Sequence, residues 1–278
     1  VSRTEIKVKA EIKVKAEMER GSMYLFGSLA VALALYSKIP VPIVDWNEKN
    51  MKYAICFFPV VGVVTGIVEY AAGYVLLMWT DCENLFFAAV MTIIPVLVTG
   101  GIHMDGFADT VDALSSCGDR QKKLEILKDP HTGAFAIIWL CAYYLMNAAL
   151  WGEADISVLP AAALIFPISR ALSGISIVSF RAAKSSGLLR TFQNGAQKRR
   201  TRIVLIIWAA AGAAAMIMLC PAPGILAITA ALLVFWYYYS LSKKQFGGTT
   251  GDLAGYFLQV CELSMLAVLV LTDGCLWR

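Results

Sequence analysis

The chain has 278 residues, 59% of them hydrophobic and 16% charged, with a formal net charge of +4 and a mean hydropathy of +0.67. A soluble domain covers its surface with about 25% charged residues, so this composition excludes a water-soluble globule. An all-α, polytopic integral membrane bundle is expected instead. The seven cysteines (Cys56, Cys82, Cys117, Cys141, Cys220, Cys261 and Cys275) are scattered and form no C-x-x-C pair. Most sit in apolar windows, where they read as small buried hydrophobes rather than metal ligands or disulfide partners.

In chain order, residues 1–21 are charged, carry a direct EIKVKA repeat and lack the apolar core of a signal peptide. They read as a disordered leader or appended remnant, with 22–278 as a single membrane-embedded catalytic domain. The segment 23–39, "MYLFGSLAVALALYSKI" followed by "PVP", either spans the bilayer or lies in its interface. About seven spanning helices are predicted, over 53–79, 85–101, 134–151, 157–180, 203–220, 223–240 and 253–271. Glycines and alanines within them, as in "VVGVVTGIVEYAAG", suit close helix packing in lipid.

The connecting segments 40–52, 102–133, 181–202 and 241–252 then share one side of the membrane. They hold almost every loop cation, including Arg120, Lys128, Arg181, Lys184, Arg190, the run Lys198–Arg202, Lys243 and Lys244. The opposite loops hold only Arg278. Such asymmetry places the basic side in the cytoplasm, at the inner membrane, and the segments rich in polar chemistry all lie on that face.

The first of those segments is "GGIHMDGFADTVDALSS", residues 100–116. A helix from 103 to 115 carries Asp105, Asp109 and Asp112 at i, i+4 and i+7, within roughly 60° of one another, and turns His103 to the other side. Three carboxylates in one place repel unless a cation lies among them, and hard oxygen ligands suit Mg²⁺, with Mn²⁺ as a substitute. Magnesium usually shares itself with substrate phosphates, so the spacing points to a metal-bound phosphate or pyrophosphate. The plainer alternative is a solvated acidic helix end that complements the dipole.

In "CGDRQKKLEILKDPHTGAF", residues 117–135, Arg120, Lys128, Asp129 and His131 are candidates to contact phosphate. Lys122 and Lys123 read as ordinary positive-inside charges. Arg170 stands mid-window, so it faces a polar cavity with an acidic partner or snorkels to the interface. Glu69 and Glu262 are intramembrane carboxylates by the same logic, and Glu69 carries no assigned role. In "FGGTTGDLAGYF", residues 246–257, Gly247, Gly248 and Gly251 let backbone amides approach an anion, Thr249 or Thr250 offers a hydroxyl, and Asp252 opens the last helix. Acids, cations and a glycine nest together describe a pyrophosphate clamp; a helix cap is the plainer reading of the glycine turn.

These residues resemble the cobalamin synthase family, the adenosylcobinamide-GDP ribazoletransferases. "GGIHMDGFADTVDAL" is similar to that family's GG-x-H-x-DG-x-AD-x-x-D signature, "SKIPVP" with "FFPVVGVVTG" to its N-terminal pattern, "LEILKDPHTGAFA" to its L-E-I block, and "GGTTGDLAG" followed by Glu262 to its GG-x-TGD end. The likeness extends over residues 35–270. His131 stands where the family usually has arginine, Pro130 where it has serine and Ala113 where glycine is common.

The resemblance implies a Mg²⁺-dependent transferase that joins adenosylcobinamide-GDP to α-ribazole or its 5′-phosphate. The products are adenosylcobalamin or its phosphate, and GMP. Asp105, Asp109 and Asp112 would hold the metal. Arg120, Lys128 and Arg170 would stabilise charge on departing GMP, and an aspartate, or else His103, would accept the ribazole hydroxyl proton. Asp129, His131, Gly247, Gly248, Thr250, Gly251, Asp252 and Glu262 complete the substrate contacts.

The expected partners are these two substrates and the lipid bilayer, with no nucleic acid, and a homo-oligomer or other corrinoid-assembly enzymes. A CDP-alcohol phosphotransferase is disfavoured because Asp109, not arginine, follows Ala108. A prenyltransferase lacks the terminal GGTTGD. A transporter would spread its charges along a path rather than gather them on one face.

Overall fold

The computed structural model describes residues 24–183, 189, 193 and 197–276; the segment 1–21 lies outside them, as do Lys184 and Arg190. In lipid every backbone amide and carbonyl must be satisfied within the chain, and the described residues answer with helices, leaving one isolated parallel bridge between Ala182 and Thr249. The helices are α1 (Tyr24–Tyr36), α2 (Phe58–Trp79), α3 (Asn84–Thr99), α4 (Ile102–Ser115), α5 (Arg120–Ile126) and α6 (Ala134–Gly152). They continue with α7 (Leu159–Ser179), α8 (Lys198–Leu219), α9 (Pro221–Leu241) and α10 (Gly251–Leu276). Proline opens α2, α7 and α9 in the first turn, where its missing N–H costs nothing.

Six stretches are long and apolar enough to cross a membrane, and α3 with α4 makes a seventh if that pair, bent by 98°, counts as one span. The predicted windows are met within a few residues, with two refinements. Helix α1 has 13 residues, about 20 Å of rise, too short to cross a core of about 30 Å; it docks Val31 against Ile55, Ile177 and Leu205. The window 85–101 stops early, because Gly100 and Gly101 both take left-handed φ, 67° and 79°. These values end α3 and swing the chain into α4.

Helices α7 and α10 form the interior, whereas α6, α8 and α9 turn Trp139, Met218 and Trp236 outward. Close approach at glycine sets the central crossings. A Cβ on Gly62 would stand 2.5 Å from the carbonyl oxygen of Phe166, and one on Gly66 would overlap that of Ala163, so α2 rests backbone to backbone on α7. Helices α4 and α10 meet likewise. A Cβ on Gly106 would lie 2.8 Å from the Asp252 carbonyl oxygen, and one on Gly255 would lie 2.9 Å from that of His103. Gly66→Ala is therefore expected to lower stability by about 1–3 kcal/mol, read by unfolding in detergent micelles; an unchanged midpoint would show that α2 and α7 can separate freely.

Candidate active site

Helix α4 is placed by the glycine pair before it: the Asp105 amide donates to the Gly101 carbonyl at 2.9 Å, closing the first turn. One face of α4 packs Phe107 and Val111 against Tyr143 and Tyr256. The other carries Asp105, exposed, with Asp109 and Asp112, half-buried. Asp105 and Asp109 line a cleft of about 440 Å³ whose remaining walls include Gly100, Gly101, Thr132 and Tyr144. Asp112 lies one turn further on, its carboxylate pressed so closely on Gly133 that a Cβ there would overlap it.

His103 points elsewhere, as the helical wheel requires. Its ring is buried, 6.0 Å from that of Tyr36 and 5.7 Å from that of Phe58, and its Nε2 has no hydrogen-bond partner. It belongs to the packing between α1, α2 and α4 and is not among the residues that line the cleft.

The segment after α4 folds back over the same face. Asp119 caps α5 by accepting from the Lys122 amide at 2.9 Å. Arg120 lays its guanidinium on Gly247, where a Cβ would overlap it, and Lys123 Nζ donates to Gln245 Oε1 at 2.6 Å. Lys128, Asp129 and His131 are exposed. Asp129 Oδ1 accepts from the His131 amide at 3.0 Å and meets its ring Nδ1 at 2.7 Å. These bonds, the amide's first, hold the Asp129 carboxyl below the usual carboxylate range. Its contribution to the turn is present above that range and is lost as pH falls through the lowered value.

The glycine turn departs from expectation. The amides of Gly247 and Gly248 both donate to the Ser242 carbonyl, at 3.0 Å from Gly248, and that of Thr249 donates to the Arg181 carbonyl at 2.8 Å. Thr249 Oγ1 bonds the Tyr238 hydroxyl, and Thr250 Oγ1 accepts from the Leu253 amide at 3.2 Å, capping α10. The amides of Gly247 and Gly248, expected to face an anion, are thus bonded within the chain. Joining a π-helical turn, Ser242–Phe246, to α10 consumes those amides, and Gly248 is needed because the backbone of Arg181–Ala183 crosses it within Cβ distance. Gly251 is exposed, with open space where a Cβ would be, and Asp252 sits in the first turn of α10.

Arg170 has the acidic partner its depth demanded. It is 1% exposed, with Nη1 donating to Glu262 Oε1 at 2.6 Å and to the Phe166 carbonyl at 3.1 Å. Ser169 Oγ donates to the same Glu262 oxygen at 2.7 Å. Snorkelling is ruled out. Arg170 and Glu262, expected among the substrate contacts, neutralise each other inside the bundle and are not among the residues that line the cleft.

Among the described residues no three His, Cys, Asp or Glu side chains converge to hold a metal by themselves. Two aspartates on an open cleft still fit an ion that takes one or two carboxylates and leaves its other positions to water and phosphate.

The model of the cobalamin-5-phosphate synthase family matches residues 28–270. The chain belongs to this family. It is 42% identical over 255 residues to a protein of Lachnoclostridium phytofermentans named adenosylcobinamide-GDP ribazoletransferase, covering 91% of this chain and 96% of the relative. Proteins of the same name from Clostridium botulinum (strain Eklund 17B / Type B) and Roseiflexus are 33% and 29% identical, covering 86% and 89% of this chain and 95% and 90% of theirs. No solved structure matches.

Within this synthase chain the fold sets Asp105 and Asp109 on one cleft with Asp112 a turn further on, and rests Arg120 on Gly247, while His103, Arg170 and Glu262 are not part of the cleft lining. Residues that the reading of the sequence missed are mostly small. Gly106, Gly133 and Gly255 allow the approaches just described, and the G-x-x-x-G spacing of Gly251 and Gly255 was the available signal. Lys38, whose arm lies across Gly100 and whose amide donates to the Val98 carbonyl at 2.8 Å, carried none beyond its place in "SKIPVP".

Breaking the buried pair with Glu262→Gln is expected to cost about 3–5 kcal/mol, while the double change Arg170→Met with Glu262→Leu recovers most of it; equal losses in thermal unfolding would mean the charges do not act as a pair. Gly133→Ala is expected to push the Asp112 carboxylate aside, lowering turnover with little change in melting temperature. A variant with full turnover would remove Asp112 from the site.

Proposed function

We propose that this chain joins adenosylcobinamide-GDP to α-ribazole or its 5′-phosphate, giving adenosylcobalamin or its phosphate and releasing GMP, with Mg²⁺ (or Mn²⁺) as the metal. The observation that carries this reading is the cleft walled by Asp105 and Asp109, built from the GG-x-H-x-DG-x-AD stretch in a chain that matches relatives of that name nearly end to end. The reaction is a displacement at phosphorus. The ribazole hydroxyl oxygen bonds to the phosphorus on the cobinamide side, the bond to the bridging oxygen breaks, and GMP leaves with that oxygen.

Asp105 and Asp109, with Asp112 one turn away, are the residues that would hold the metal, which when bound offsets pyrophosphate charge and makes phosphorus more electrophilic. An aspartate oxygen on the cleft takes the proton of the attacking hydroxyl. Arg120, fixed on Gly247, and Lys128 supply positive charge for the departing phosphate. Thr132 and Tyr144 offer hydroxyls on the same wall. The excess of Lys and Arg in the connecting segments 102–133, 181–202 and 241–252 supports a cytoplasmic orientation of the cleft at the inner membrane.

The test is GMP release by purified chain reconstituted in nanodiscs, with and without Mg²⁺. Asp109→Asn is expected to lower turnover by about 100-fold and to change its Mg²⁺ dependence. Full turnover with an unaltered metal requirement would end this assignment, and wild-type protein that releases no GMP would end the proposed activity.

A further inference from the structure

Beneath the cleft, and sharing Val96, Gly101 and Met104 with it, lies an internal chamber of about 30 Å³. Its walls carry Glu69 of α2, Thr92 of α3, Tyr143 and Asn147 of α6, Arg170 of α7 and Glu262 of α10. Arg170 and Glu262 cancel each other's charge at 2.6 Å. Glu69 is left over. It is 0% exposed, lines the chamber, and neither of its carboxyl oxygens has a hydrogen-bond partner.

An ionised carboxylate at that depth is very costly unless a positive charge matches it, and even a neutral acid would leave acceptors unsatisfied. The space admits one body about the size of a water molecule. With Glu262 already paired to Arg170, the net charge to be balanced is the single negative one of Glu69. Around it stand neutral oxygens. Thr92 Oγ1 donates to Asn147 Oδ1 at 3.2 Å, which leaves lone pairs on both, and the Tyr143 hydroxyl lies on the same wall. Oxygen donors of this kind suit a hard cation, and the single net negative charge matches a monovalent one.

We propose that this chamber binds one small monovalent cation of sodium's kind, held by Glu69 and completed by the oxygens of Thr92, Asn147 and Tyr143. The ion would tie α2, α3 and α6 together directly under the Gly100–Gly101 bend that aims α4. It is a site distinct from the acidic cleft and takes no part in the displacement at phosphorus.

The experiment is equilibrium binding of ²²Na⁺ to the full chain in nanodiscs, in choline chloride at constant ionic strength, alongside thermal unfolding in sodium and in choline. One saturable site per chain and a higher melting temperature in sodium are expected, with both effects lost in Glu69→Gln. The double variant Asp105→Asn with Asp109→Asn should keep them. Absence of saturable binding to the wild type overturns the proposal even if Glu69→Gln does not fold. Sodium retained by a folded Glu69→Gln, or lost in the double aspartate variant, overturns it too, the latter by assigning the ion to the cleft.

Discussion

A lipid-facing chain has no water to complete its backbone hydrogen bonds, so wherever it leaves a helix inside the bundle it needs a local device to close the gap. Gly100 and Gly101 are that device at the point on which the candidate site depends. Two consecutive left-handed residues end α3 and restart the chain as α4 at 98°, with the Asp105 amide already bonded to Gly101. A residue with a Cβ would be strained in this backbone, and at Gly100 it would also overlap the arm of Lys38. Without the bend, α4 would continue straight and its aspartates would not gather at the cleft.

The second constraint is distance. Helices in lipid gain little from excluding apolar surface and associate through close van der Waals contact. The crossings that matter have glycine on at least one side: Gly62 and Gly66 of α2 against α7, and Gly106 with Gly255 between α4 and α10. The second crossing joins the aspartate motif to the C-terminal glycine motif, which lie well over a hundred residues apart. It explains why the loop bearing Arg120 can rest on Gly247 while the carboxylates face the cleft.

Charge is divided between two compartments. Exposed groups, Asp105, Arg120, Lys128, Asp129 and His131, remain in contact with water, where their mutual energies are small and their geometry can adjust to a ligand. Buried groups, Arg170 and Glu262, are locked by hydrogen bonds to each other, to Ser169 and to the Phe166 carbonyl. That pair lies outside the cleft lining.

Periodicity and composition alone determined the helical membrane class, the position of nearly every span, the shared face of Asp105, Asp109 and Asp112, and the need of Arg170 for an acidic partner. Each follows from a local rule: 3.6 residues per turn, 1.5 Å of rise, or the cost of a charge in hydrocarbon. Only the tertiary structure decided that the partner is Glu262, that His103 packs against Tyr36 and Phe58, that Arg120 rests on Gly247, and that the amides of Gly247, Gly248 and Thr249 are bonded internally. Those outcomes depend on which backbone approaches which, across separations that no local spacing encodes. Residue type shows that a glycine permits contact or that an arginine requires a counter-charge, but the other party is supplied by how the helices cross.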